Sequence, residues 1–170
     1  MLLWFAGGAV ILVWVVFRSP AIDYRLVLAG AVLPLVELPF GEPRVLHSLT
    51  GSVALLGLAM LATPRRRLVQ RRLVAVPIGT FLHLGLDGIW TDTRAFWWPF
   101  AGRAFSDARL PELARGPFTL VLELAGAAAL WWCYRRFRLD EPERRARFVR
   151  TGQIDRDVME PGGGGEVRRR

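Results

Sequence analysis

The sequence predicts an all-α fold, a polytopic integral membrane bundle of about five transmembrane helices followed by a charged tail. Three observations predict it. Residues 1–17 and 45–64 carry no charged side chain, and 116–134 carry only Glu123. Uncharged runs of this length match a hydrocarbon layer of roughly 30 Å at a rise of about 1.5 Å per residue. All 23 basic residues are Arg, and they are concentrated in short links and in the tail rather than spread along the chain.

Taken in order, the first run, about 2–17, is short and N-terminal. It lacks a basic leading region, and residues 18–23 offer no small-x-small cleavage site, so it reads as an uncleaved anchor rather than a signal peptide. The second, about 26–40, contains Pro34, Glu37 and Pro39 and reads as a broken or tilted helix. Irregular backbone of that kind must be covered by protein or line a wet cavity. The third, fourth and fifth runs lie at about 46–63, 73–90 and 117–134. Eighteen of the 23 Arg fall in 18–25, 64–72 and the stretch after Tyr134. The positive-inside bias then orients the bundle with its N-terminus out and C-terminus in. Residues 1–139 form the transmembrane domain on this reading. Residues 140–170 form a cytoplasmic tail, helical to about Arg150 and disordered beyond it.

Composition excludes several function classes. A single cysteine, Cys133, rules out an intramolecular disulfide and a cysteine-rich metal cluster. A pI near 11.3 invites a nucleic-acid reading, but the Arg positions favour anionic lipid headgroups at the link 65–72 instead. Residues 162–165 are followed by Glu-Val-Arg, so they are not a phosphate-binding loop. The absence of Lys and Asn suggests a GC-rich bacterial genome, and with the apolar runs it places the chain in the bacterial inner membrane among its lipids.

Ionisable groups inside apolar runs are costly and point to function. Four stand out: Glu37, His47, His83 and Asp87. His83 and Asp87 are four apart, so on a helix they share one face a turn apart, a spacing that suits two ligands of one metal or a carboxylate orienting an imidazole. The predicted topology brings Glu37, His47, His83 and Asp87 to the same outer leaflet, and Glu123 of the fifth run reaches a similar depth. Buried hydrogen bonding between helices explains the same residues without a metal. The segment Phe96-Trp97-Trp98-Pro99-Phe100 reads either as an interfacial aromatic belt or as a lid over this polar cluster.

The motifs that contain these residues are Leu33-Pro34-Leu35-Val36-Glu37, the stretch from Gly41 to Leu49 around His47, His83-Leu84-Gly85-Leu86-Asp87 with Thr91, and Trp98-Pro99. In this order they resemble the YdjM-type family of membrane-bound, predicted metal-dependent hydrolases, over about residues 26–100. The resemblance implies that His47, His83 and Asp87 match the family's polar residues and that Glu37 stands at the second Asp of its L-P-D-x-D motif. Leu35 replaces the first Asp of that motif, and Glu42 stands where a histidine is expected.

Two functions follow as expectations. The first is a hydrolase in which His47, His83, Asp87 and Glu37 hold a divalent metal, zinc or manganese, with Glu37 or Glu123 as catalytic base. Its substrate would be lipid-like, an ester or a phosphoester. The second is a scaffold or assembly protein whose polar cluster is a structural hydrogen-bond network.

Overall fold

The computed structural model describes residues 1–105, 110 and 115–159, and these are helical with no strand among them. The helices are α1 (Leu2–Phe17), α2 (Tyr24–Val32), α3 (Leu49–Leu61), α4 (Arg67–Leu73), α5 (Ala75–Asp87), α6 (Thr93–Phe96), α7 (Phe118–Arg136) and α8 (Pro142–Thr151). Short 3-10 segments at Leu33–Phe40, Val45–His47, Ile89–Thr91 and Arg156–Met159 complete the order.

No helix of the described residues is long and apolar enough to cross a membrane. That overturns the five-span bundle, its N-out orientation and its placement in a bacterial inner membrane. The physical reason lies in how the apolar runs fold. α1 has 16 residues, about 24 Å at 1.5 Å per residue. The run 26–40 leaves the α-helix at Val32. The run 46–63 spends its start in a 3-10 turn and yields 13 helical residues, and 73–90 yields 13 before Gly88 ends α5. α7 has 19 residues but includes Glu123, Arg135 and Arg136. Much of the apolar content lies on outer helix faces, where Val16, Leu61, Phe81, Leu124 and Trp131 stay exposed. With the spans goes the interfacial belt expected of residues 96–100.

α5 lies along α2, α1 packs against α7 and α2, and α3 packs against α5. Phe5, Ala9, Val10 and Val13 recur at helical spacing on one face of α1 and are buried. With Tyr24, Val27 and Ala31 of α2, Ala75 of α5 and Cys133 of α7, the last three of these α1 residues build the core. α2 and α5 meet at two glycines. A Cβ on Gly30 would lie 2.0 Å from the Val76 carbonyl oxygen, and one on Gly79 would lie 2.2 Å from that of Val27. Two backbones this close leave no room for a side chain between them.

Proline chemistry sets the end of α2. Pro34 has no N–H to return to the Gly30 carbonyl four residues back, and the chain tightens into a 3-10 helix from Leu33. The Gly30 carbonyl accepts instead from Leu33 N and lies 3.1 Å from Thr80 Oγ1 of α5.

The charged tail does not stop at Arg150, where the sequence suggested that order would end. α8 and the 3-10 turn after it fold back on the start of α2, burying Ile154 and Val158 in the core. Tyr24 N donates to Gly152 O at 2.8 Å and Gln153 Nε2 donates to Ala21 O at 3.0 Å. Gly152 has φ 71°, and a Cβ there would meet Asp23 Oδ1 at 1.6 Å. Arg144 ties the unit together through Glu141 at 2.7 Å, Asp155 at 3.1 Å and Asp157 at 2.8 Å. Residues 160–170 lie outside the described residues.

Candidate metal centre

Three elements deliver the polar cluster. His83 and Asp87 sit on the last turns of α5, and both are buried there together with Thr80. His47 ends the 3-10 turn before α3, directly ahead of Ser48, whose hydroxyl caps that helix by accepting from Gly51 N at 3.0 Å. Glu37 lies in the 3-10 segment that Pro34 opens.

His47, His83 and Asp87 are 0%, 0% and 1% exposed. Each offers one ligand atom, and these atoms lie within 4.8 Å of one another, so the group can hold a metal ion. The two imidazoles meet edge to face with centroids 5.3 Å apart, and His83 also stacks on Phe5 of α1 at 3.8 Å. Ring contacts of this kind fix the planes as well as the positions.

The hydrogen bonds fix the tautomers. His83 Nδ1 lies 2.7 Å from the Ala31 carbonyl oxygen. A carbonyl only accepts, so Nδ1 carries the proton, and in the neutral ring Nε2 holds a lone pair. His47 Nδ1 lies 2.8 Å from Glu37 Oε2, which gives the same assignment against an ionised carboxylate. Metal-bound histidines are commonly held this way, one nitrogen on the ion and the other donating to a carboxylate or a carbonyl.

Glu37 is therefore placed behind His47 rather than among the three grouped residues. It also accepts from Arg44 N at 3.0 Å and Leu46 N at 2.9 Å. Burial works to raise its carboxyl, but the His47 hydrogen bond and the two amides outweigh it and hold the group below the usual carboxylate range. Asp87 Oδ1 receives Arg115 Nη1 at 3.2 Å, and Arg115 also donates to the Asp87 carbonyl.

Glu123 lies elsewhere. Its carboxylate accepts from Leu3 N at 2.7 Å and pairs with the Met1 amino group at 2.9 Å, at the start of α1. The structure joins it to α1 and not to His47, His83 and Asp87. The aromatic segment is tied to α3, since Thr50 Oγ1 donates to the Trp98 carbonyl at 2.6 Å. Thr50 is three residues past His47, so the segment stands near the cluster, with Phe100 strongly exposed.

Sequence reasoning missed Arg115, Phe5 and the Ala31 carbonyl. Thr80, three residues before His83 on the same face of α5, carried a signal in its spacing. Phe5 and Arg115 come from runs distant in sequence, and a backbone carbonyl leaves no mark on residue identity.

The chain matches no known family model, no curated protein and no solved structure. The likeness to the YdjM-type family thus rests on the short motifs themselves.

Proposed function

We propose that His47, His83 and Asp87 hold a divalent transition metal and that the site hydrolyses an ester or a phosphoester. The observation that carries this reading is the buried grouping of His47, His83 and Asp87, whose candidate ligand atoms lie within 4.8 Å of one another while Glu37 and the Ala31 carbonyl engage Nδ1 of the two histidines. Two imidazoles and one carboxylate are the ligand set of catalytic zinc sites that keep a fourth position open, and they suit manganese as well. A bound ion would supply Lewis acidity and bring the pKa of water to about 7.

The chain's own residues have separate tasks on this reading. Glu37 orients His47 and raises its basicity through the short Nδ1 contact. Ala31 does the same for His83 with a neutral acceptor. Arg115 steadies Asp87 and brings a positive charge to the edge of the site, where it can meet a developing anionic oxygen. Phe5 covers one face of His83 and fixes the plane of its ring. The family resemblance of the motifs around His47, His83 and Asp87 points to the same chemistry.

The test is elemental analysis of purified protein, wild type beside His83→Ala, followed by a panel of nitrophenyl esters and phosphoesters. Near-stoichiometric zinc or manganese in the wild type alone, with metal-dependent turnover, is the expected result. Equal metal content in both proteins would sink the assignment.

The Arg115–Asp87 pair favours a second reading, in which the cluster is a structural network joining α5 to its neighbours. It predicts that His83→Ala lowers thermal stability by the same amount with and without added metal.

A further inference from the structure

A cavity of about 390 Å³ opens between α1, α3 and α5, lined by Leu12, Val16, Leu56, Pro77 and Phe81 among other apolar side chains and by one polar residue, Ser52. Ser52 is 4% exposed, and its Oγ has no hydrogen-bond partner among the described residues. A buried hydroxyl without a partner is costly, and it is an uncommon wall for a purely apolar void. Its position in the first turns of α3 puts this wall of the cavity close in sequence to the turn that carries His47. Ser52 is five residues past His47, beyond the Ser48 cap and within the first turn of α3. Leu82 of the cavity wall directly precedes His83, and the lining then runs back along α5 through Ile78 to Val74, the residue that precedes the helix.

We propose that this cavity binds the hydrocarbon chain of an amphiphilic ligand, with Ser52 Oγ bonded to the polar group where the chain meets its head. The inference builds on the hydrolytic reading of the site, for which it names the substrate class: an ester of a medium-length fatty acid. The volume holds roughly a dozen groups of about 30 Å³ each, which matches a chain of ten to twelve carbons in round terms. Apolar walls supply affinity by burying methylenes, worth about fourfold in affinity for each one. The single hydroxyl sets register, so the ester would lie at the end of the cavity nearest His47 and His83.

Calorimetric titration of octanoic, decanoic and dodecanoic acid into the purified full chain tests the binding step without requiring turnover. Affinity should rise about fourfold per methylene across the series. Leu56→Trp fills the cavity and should weaken dodecanoate at least tenfold with metal content unchanged. Val53→Trp, at the exposed rim, gives an independent variant in case the first folds poorly. Ser52→Ala should cost two- to tenfold.

His83→Ala separates the two readings. Binding that persists in that variant, with no metal and no turnover in the wild type, would leave the chain-binding cavity standing and remove the hydrolase. Metal and turnover on short esters with no chain-length dependence of binding would do the reverse. Affinity that ignores both tryptophan variants would overturn the cavity proposal.

Discussion

The two ends of α2 solve the same problem in different ways. At its C-terminal end, imidazoles and carboxylates lie at 0–6% exposure, and Glu37 and Ala31 hold the two histidines through defined atoms. At its N-terminal end, Arg25, Arg138, Arg144 and Arg147 meet Asp23, Glu141, Asp155 and Asp157 in a cluster where most side chains are between one sixth and one half exposed. Water screens the second set, so each pair contributes ~0–1 kcal/mol and the cluster works as glue. The first set is shielded, so its charges and lone pairs keep their strength and can do chemistry. Burial, not composition, separates a candidate active site from a clasp.

The comparison can be broken or sharpened experimentally, and the largest effect removes it altogether. Gly30→Val drives a side chain into the Val76 carbonyl and should part α2 from α5, with a loss above about 3 kcal/mol. Chemical denaturation followed by circular dichroism would show it, and a loss below 1 kcal/mol would refute the close crossing. His83→Ala should abolish metal retention while leaving the clasp at the far end of α2 intact, as read by amide exchange in α8.

Glu37→Gln is subtler. An amide offers one acceptor oxygen where the carboxylate offers two, so His47 or a backbone amide loses its partner. Metal affinity should fall about 10–100-fold, measured by competition with a chelator. Unchanged affinity would mean that His47 needs no orienting group.

The clasp responds to different changes. Gly152→Ala faces both the left-handed backbone and Asp23, so a loss of about 2 kcal/mol is expected from thermal melts, with metal content unaltered. Acid is the gentlest probe. The Arg144 hydrogen bond holds the Asp157 carboxyl below its ordinary value, so the stability it lends is present above the unfolded value of about 3.9. That contribution is lost as pH falls through the lowered folded value. Protection of α8 should therefore decline below about pH 4 in the wild type, and the decline should be weaker in Arg144→Met.

Periodicity and charge made the helices legible, and the four-residue spacing of His83 and Asp87 made their shared face legible. The runs misled where local chemistry cut them. Pro34 turns the second run into a 3-10 segment, Gly88 stops α5 at 13 residues, and a turn before Ser48 delays α3. Hydropathy averages over such breaks, so it overstated helix length and suggested membrane spans. The tail misled in the opposite direction. The charge content past Arg150 read as disorder, yet up to Met159 the chain buries Ile154 and Val158 while Arg144 gathers the acids. Contacts made by backbone atoms, such as Ala31 to His83, were beyond reach because every residue type supplies the same carbonyl.

That last contact bears on how the site would be inherited. Position 31 could drift among residues small enough for its space and still present the acceptor that sets the His83 tautomer. What cannot drift freely is the bend that follows it. An alanine at 34 would restore an N–H and invite α2 to continue, pulling the carbonyls of residues 30 and 31 back into the helix. In distant descendants the histidine would then stand opposite a changeable residue, and the proline three positions later would be the durable mark of the site.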